Sequence, residues 1–124
     1  MNEMRSGVYE IRNIKNNKIY IGGSINISER WNEHRRELSK NNHHSPHLQN
    51  AWNKYGEDCF NFNVLEWCHK DDVFDREQYY LDTYKSYDKN NGYNIAKYAS
   101  APMKGRKHTE ETKKILLVLN CQVI

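Results

Sequence analysis

The sequence predicts an α+β domain in which a small three-stranded antiparallel sheet is flanked by helices. Residues 8–13 alternate in polarity, as on a half-exposed strand, and the turn signal Asn16-Asn17 separates them from a second extended run at 19–21. A third alternating run, at 60–65, follows two segments with helical spacing of apolar residues. The order β-β-α-α-β-α, with a short extended piece at 93–96, favours one sheet with helices packed against it.

Two helices are predicted between the hairpin and the third strand. The first covers residues 27–39 and begins at Asn26, which can cap it together with Glu29 three residues later. Ser45 and Pro46 suit the cap and the first turn of the second helix.

The third helix, predicted over residues 72–84 with Asp71 and Asp72 as its cap, carries a carboxylate on its inner face. A carboxylate removed from water needs a partner. Glu77 could be paired with a core arginine, or it could bind a hard divalent cation such as Mg²⁺, which takes oxygen ligands. The pattern alone leaves both interpretations open. The predicted inner face consists of Val73, Glu77, Tyr80, Leu81 and Tyr84.

The composition indicates one small domain in a reducing compartment. The chain has 124 residues, with no apolar run of membrane-spanning length and no N-terminal signal region. Its three cysteines lack CxxC spacing, which favours reduced thiols over a disulfide framework. We therefore expect a cytoplasmic protein that does not contact membranes.

The excess positive charge lies near the carboxyl end. Residues 1–100 hold equal numbers of basic and acidic side chains, whereas the formal net charge of the chain is +3. Such a tail can attract phosphates without sequence preference, or it can be a solubilising terminus. The basic side chains after residue 100 are Lys104, Arg106, Lys107, Lys113 and Lys114.

Four polar side chains in the hairpin and the first helix could act on a phosphodiester. Arg30 and His34 lie four residues apart, so they project from one helix face. An arginine binds two phosphate oxygens, and a histidine or a tyrosinate can take a proton from water. Tyr9 and Tyr20 come close together if the hairpin forms. The alternatives are surface decoration for the helix pair and ordinary core packing for the tyrosines.

Zinc binding by His43, His44 and His47 is disfavoured by the sequence. Pro46 starts a helix between them, and no cysteine lies at the spacing of a zinc finger. One of the three could instead contact a phosphate.

In combination, these motifs resemble the GIY-YIG nuclease domain of phage and intron homing endonucleases. The namesake motif corresponds to Gly7-Val8-Tyr9 and Tyr20-Ile21-Gly22, with valine in place of isoleucine. The resemblance implies the GIY-YIG nuclease fold and a metal-dependent DNA endonuclease. The further matches follow in the family's order within residues 6–97: Arg30-Trp31 with His34, His43 before Leu48-Gln49, Arg76-Glu77, and Asn91 to Ala96.

The resemblance implies that one Mg²⁺ or Mn²⁺ binds in each active site, with Glu77 as its sole protein ligand. One cation can polarise the phosphate and assist the leaving 3′-oxygen. Tyr9 would be the general base for the attacking water, with His34 helping it or acting in its place. Which of the two takes the proton is left open by the sequence.

The remaining family positions imply contacts around the phosphate. Arg30 would bind the scissile phosphate, and Tyr20 would position the nucleophile or the phosphate. His43 and Asn94 would support phosphate contact and the geometry of the site.

The same resemblance divides the chain into a nuclease domain at 1–98 and a linker with a short basic tail at 99–124. Residues 105–114 resemble one copy of the modular DNA-binding motif that follows such domains, and the apolar end after it suggests truncation. The implied partner is double-stranded DNA. We expect a monomer in solution that pairs at most transiently on DNA, in the host cell's cytoplasm if a phage or virus encodes the chain.

A second function fits the short tail, namely a truncated remnant of a homing endonuclease that binds DNA with little or no cleavage. The intact set of catalytic candidates favours the endonuclease, because a decayed gene need not retain all of them. A restriction-type enzyme would need sequence-reading insertions, and the sequence shows none.

Removing the residues after Ala101 should weaken DNA binding and flatten its dependence on salt, because the shortened chain lacks the basic side chains that displace counterions. Binding measured across a salt series, with the full chain as control, checks this expectation. Equal affinity and equal salt dependence would contradict an electrostatic role for the tail.

Overall fold

The computed structural model describes residues 5–99. Residues 1–4 and 100–124 lie outside the described part, and with them the apolar end and nearly all of the predicted 99–124 segment. The division of the chain at residue 98 therefore stays a prediction. So does the DNA-binding role of the tail side chains Lys104, Arg106, Lys107, Lys113 and Lys114.

Three strands and three α-helices make up most of residues 5–99, and the predicted α+β class and element order are confirmed. No strand forms at 93–96, and a single bridge joins Gly92 to Ile19 instead. No helix among the described residues is long and apolar enough to cross a membrane. In chain order the elements are β1 (Gly7–Asn13), β2 (Ile19–Ser24), α1 (Ile27–Ser39), α2 (Pro46–Tyr55), a 3₁₀ turn (Glu57–Cys59), β3 (Phe60–Trp67), a second 3₁₀ turn (Lys70–Asp72) and α3 (Val73–Tyr84).

The sheet has the order β2-β1-β3, and both pairings of the central strand β1 are antiparallel. Tyr9 and Ile11 of β1 point into the larger core, which α1 and α2 cover, whereas Val8 points to the opposite face and contacts the smaller core under α3. Both faces of the sheet are therefore covered. The buried carboxylate of Glu10 accepts a hydrogen bond from Arg12 Nε at 2.9 Å, so the charge of Glu10 is paired.

Two of the three predicted helix caps are confirmed. The Asn26 side chain accepts a hydrogen bond from the backbone N–H of Glu29 at 3.2 Å, and Ser45 Oγ accepts one from the third residue of α2 at 3.3 Å. The side-chain cap predicted for α3 does not form. Asp72 makes no capping hydrogen bond through its side chain, and His69 instead caps the 3₁₀ turn that leads into the helix.

The buried face of α3 is narrower than predicted. Val73 and Leu81 are buried against the sheet, but Tyr84 is 42% exposed. Tyr80 is half-buried, and its hydroxyl donates to the Glu66 carboxylate on β3 at 2.9 Å. Tyrosines at this edge of the helix keep their polar ends at the surface, where they find water or an ionic partner.

The side chain of Asn94 links the segment after α3 to the edge strand β2 by hydrogen bonds. Its Oδ1 accepts a hydrogen bond from the backbone N–H of Ile21, and its Nδ2 donates to the Ile21 carbonyl, both at 2.8 Å. The side-chain amide thus pairs with β2 as a neighbouring strand would. Ser86 Oγ donates to the same Oδ1 at 2.6 Å, which fixes the orientation of the amide.

Replacing Asn94 with alanine should lower the free energy of unfolding by about 2–3 kcal/mol, because two buried backbone groups of Ile21 lose their partners. Denaturant unfolding of the wild type, Asn94→Ala and Asn90→Ala measures the difference. Asn90 is exposed in the same segment, so its variant should unfold like the wild type. An unchanged midpoint for Asn94→Ala would contradict the structural role of the amide.

Candidate active site

A cleft lies along β2 and is walled by residues of β1, α1, α3 and the segment that begins at Asn94. Two glycines of β2 allow functional side chains to come close to the strand. A Cβ on Gly22 would overlap the phenol of Tyr9, and a Cβ on Gly23 would lie 2.8 Å from Glu77 Oε1. Any larger residue at either position would push one of these side chains away.

The structure brings most of the predicted site residues into this one cleft. Its lining includes Tyr9, Tyr20, Arg30, Glu77 and Asn94. The two tyrosines project from the same face of the β1–β2 hairpin, since Tyr9 pairs with Gly22 and Tyr20 with Ile11.

The other two predicted residues, His34 and His43, are buried behind the tyrosines and do not line the cleft. His34 is fully buried, although the helix pattern also allowed a surface position. Neither histidine can therefore reach a ligand in the cleft without the tyrosines moving. They can act on it only through the groups that they contact.

A chain of hydrogen bonds runs from Tyr9 through the core to the start of α2. Tyr9 Oη lies 2.7 Å from His34 Nε2, and His34 Nδ1 lies 2.7 Å from His43 Nε2. The chain ends at the backbone N–H of Ser45, which donates to His43 Nδ1 at 3.0 Å. With neutral rings, this last donor fixes the tautomers: His43 donates from Nε2 to His34, and His34 donates from Nε2 to Tyr9. The hydrogen of the Tyr9 hydroxyl therefore points away from His34 and remains available for another acceptor.

Burial keeps both histidines of this chain neutral. It lowers the pKa of His34 to about 2 and the pKa of His43 to about 4, and the positive charge of Arg30 acts in the same direction. Burial also raises the pKa of Tyr9 well above its ordinary value, since a phenolate would lose its hydration there. His34 is therefore a poor proton acceptor at neutral pH, and its role is to donate a hydrogen bond to Tyr9.

His44 lines the cleft, whereas the resemblance singled out His43 among the three neighbouring histidines. Its Nε2 lies 2.8 Å from Tyr20 Oη, and its side chain is 52% exposed. The signal that could have found it is its place directly before Ser45, because a helix cap fixes the direction of the chain at that point. His43 and His44 are stacked on each other with their ring centres 4.3 Å apart.

The cleft holds more negative than positive side chains. Its lining contains the carboxylates of Glu29 and Glu33, the guanidinium of Arg30 and a third carboxyl group, that of Glu77. Arg30 Nη1 donates to Glu33 Oε1 at 2.8 Å, so part of the positive charge is already neutralised. An anionic ligand would therefore be repelled unless a cation entered with it.

Glu77 reaches the cleft from α3 without a protein partner. It is half-buried and makes no hydrogen bond or ion pair with another described residue. The neighbouring Arg76 does not serve it, because that guanidinium is paired with Glu66 at 2.9 Å. Burial raises the pKa of Glu77 to about 8. A desolvated carboxylate that faces a cleft in this way suits a divalent cation with oxygen ligands.

His34, Glu37 and His43 also place three metal-ligating atoms within 4.8 Å of one another. The two rings do not fit a cation as they stand, because His34 Nδ1 and His43 Nε2 share one hydrogen at 2.7 Å. An ion there would remove that hydrogen, while His43 Nδ1 still accepts from Ser45. We therefore assign this cluster to the hydrogen-bond chain and not to a metal site.

Residues 5–94 match the sequence family described as the GIY-YIG catalytic domain. The chain is 40% identical over 95 residues to "Intron-associated endonuclease 1" of Enterobacteria phage T4, a match that covers 75% of this chain and 38% of the relative. It is 32% identical over 117 residues to "Probable intron-encoded endonuclease 1" of Neurospora crassa, covering 88% of this chain and 36% of the relative. The chain thus spans little more than a third of the length of either relative.

Solved structures with a similar fold come from catalytic domains. The catalytic domain of homing endonuclease I-TevI superposes with a TM-score of 0.65 and 38% identity, covering 73% of this chain and 98% of that chain. A mutant of the catalytic domain of intron endonuclease I-TevI gives a TM-score of 0.66 and 38% identity, covering 76% of this chain and 96% of that chain.

Replacing Glu77 with glutamine should stabilise the chain at alkaline pH in the absence of cations. The raised pKa means that wild-type stability is fully present below pH 4.5 and is lost as the pH rises towards 8, because the folded state holds the proton more tightly. Glutamine has no proton to lose, so the variant should gain roughly 2–4 kcal/mol relative to the wild type between pH 4.5 and 8.

Denaturant unfolding at several pH values in the presence of a chelator measures this gain. Asp75→Asn, an exposed position on the same helix, is the matched control and should follow the wild type. Parallel curves for the wild type and Glu77→Gln would show that Glu77 ionises normally in the folded chain.

Proposed function

Because the chain belongs to the GIY-YIG family, we propose that it is a metal-dependent endonuclease of the homing type that hydrolyses phosphodiester bonds in double-stranded DNA. The observation that carries the proposal is the convergence of two tyrosine hydroxyls, a guanidinium and an unpaired carboxylate in one cleft. The names of the relatives, which are intron-associated and homing endonucleases, support the same class.

In this proposal Glu77 is the protein ligand of one Mg²⁺ or Mn²⁺. The fit rests on the carboxylate itself, which is partly buried, faces the cleft and has no partner among the described residues. A cation with a single carboxylate ligand and several waters is typical of magnesium sites that act on phosphates. When bound, it would polarise the phosphate and stabilise the leaving 3′-oxygen.

Arg30 binds the scissile phosphate in the proposed reaction. Its guanidinium lies in the cleft and is held by Glu33 at 2.8 Å, so its position is fixed before DNA arrives. A planar guanidinium can contact two phosphate oxygens, and this matches the charge that accumulates in phosphoryl transfer. Glu33 must then give up its partner to the phosphate.

The two tyrosines bind the attacking water and the phosphate. His34 donates to Tyr9, so the Tyr9 hydroxyl is free to donate to an oxygen in the cleft. Asn94 supports the site indirectly, because its amide holds the backbone of Ile21 beside Tyr20. His43 supports it through His34.

For the whole molecule we propose that residues 1–98 form the nuclease domain and that the basic tail contributes non-specific affinity for DNA. A monomer that pairs at most transiently on DNA would be sufficient for cutting one strand at a time. A cytoplasmic location fits the absence of a disulfide pattern in the sequence.

Nicking of supercoiled plasmid DNA in the presence of Mg²⁺ or Mn²⁺ tests this function. We expect the wild type to nick, and Glu77→Gln to lower the rate by roughly a hundredfold or more, since the carboxylate that holds the cation is lost. Asp75→Asn should nick like the wild type.

DNA binding measured on the same proteins separates the two main outcomes. A folded wild type that binds DNA but does not nick it with either cation would overturn the endonuclease and favour a DNA-binding remnant. Equal nicking by the wild type and Glu77→Gln would contradict the role of Glu77.

A further inference from the structure

The two tyrosines of the cleft differ in the polarity of their hydrogen bonds. Tyr9 accepts a hydrogen from His34, because the Ser45 N–H fixes the tautomers of the chain behind it. Tyr20 belongs to a separate pair with His44, whose Nε2 lies 2.8 Å from Tyr20 Oη. The direction of this second hydrogen bond depends on the other nitrogen of the His44 ring.

The carboxylate of Glu37 decides that direction. Its Oε1 is buried and has no hydrogen-bond partner among the described residues, and His44 Nδ1 lies 3.9 Å from it. A carboxylate oxygen repels a bare ring nitrogen and attracts a protonated one, so the neutral ring of His44 carries its hydrogen on Nδ1. The lone pair of His44 Nε2 then accepts the hydroxyl hydrogen of Tyr20.

We propose that His44 takes up the proton that Tyr20 releases when the attacking water is deprotonated, a role that rests on the proposed cleavage reaction. The water proton moves to Tyr20 Oη while the phenolic proton moves to His44 Nε2. The resulting hydroxide forms the new bond to phosphorus, the bond from phosphorus to the 3′-oxygen breaks, and the leaving oxygen takes a proton from solvent. Tyr20 ends the step unchanged, and His44 ends it as an imidazolium beside Glu37.

His44 is better placed for this task than His34. His34 is fully buried, and both of its ring nitrogens are already engaged, by Tyr9 and by His43. The side chain of His44 is half exposed, so it can return the proton to solvent after each turnover. The carboxylate of Glu37 would stabilise the positive charge while it lasts.

The surrounding charges keep His44 neutral and ready to accept. Burial and the positive charge of Arg30 lower its pKa below the ordinary value, whereas Glu37 opposes this shift. Protonation of the free enzyme therefore removes the acceptor only under acidic conditions. The titratable and charged groups that face His44 are Tyr20 of β2, Arg30, His34 and Glu37 of α1, and the adjacent His43.

The first test is the dependence of plasmid nicking on pH for His44→Gln. Glutamine can still accept a hydrogen bond from Tyr20, but it cannot take up a proton. We expect kcat to fall by roughly 10²-fold with little change in KM, and the acidic limb of the pH profile to disappear. His47→Gln is the matched control, because His47 is exposed on α2 and does not line the cleft.

Glu37→Gln supplies a second variant with a distinct signature. Removing this carboxylate should lower the pKa of His44, so the acidic limb of the profile should move to lower pH and not vanish. A substitution that merely loosened the fold would lower the rate without moving the limb.

Nitrogen NMR of the free chain gives a readout that does not need activity. At neutral pH we expect His44 to show a protonated Nδ1 and an unprotonated Nε2, and His34 to show the reverse. A protonated Nε2 on His44, or a His44→Gln variant with the rate and pH profile of the wild type, would overturn the proposal.

The two proposals fail in different ways. If neither the wild type nor His47→Gln nicks DNA with Mg²⁺ or Mn²⁺, the endonuclease function is overturned and the role of His44 falls with it. If both nick normally and His44→Gln nicks equally well, only the role of His44 is overturned.

Discussion

The buried chain of hydrogen bonds from Ser45 through His43 and His34 to Tyr9 is the constraint on which the cleft depends. Each polar group in it sits in the core, where a missing partner would cost about 1–3 kcal/mol. These hydrogen bonds therefore fix the distances between the start of α2, helix α1 and the central strand β1. Ser45 has a role in the fold and a role in the site. Its hydroxyl caps α2, and its backbone N–H sets the tautomers of His43 and His34, which determine the direction of the Tyr9 hydroxyl hydrogen.

Most of the fold could be predicted because its signals are local. The turn at Asn16-Asn17, the cap at Asn26 and the Ser45-Pro46 helix start each act within a few residues, and the structure contains all three elements. The short extended piece predicted at 93–96 does not form a strand, because a short extended run carries no information about what it pairs with. Its contacts with β2 are one backbone hydrogen bond, from Tyr93 N–H to the Ile19 carbonyl at 2.8 Å, and the two that the Asn94 side-chain amide makes with Ile21.

The sequence predicted which types of residue belong to the site, but not which residues contact one another. Spacing places Arg30 and His34 on one helix face, yet it cannot show that one enters the cleft while the other is sealed behind Tyr9. The contact between His44 and Tyr20 depends on how the loop after α1 lies against β2, which no local pattern records. The special position of Glu77 could be predicted from the sequence, because burying an acidic side chain on an apolar helix face costs free energy wherever that face packs.

Because Glu33 already pairs with Arg30, its carboxylate competes with any phosphate that approaches the guanidinium. A partly exposed ion pair between residues three apart on a helix contributes only about 0.2–0.5 kcal/mol, so Glu33 is a weak competitor for the guanidinium. In the proposed reaction an incoming phosphate therefore displaces Glu33 at little cost. The carboxylate stays one helical turn away on α1, where it can hold Arg30 again once the phosphate has left.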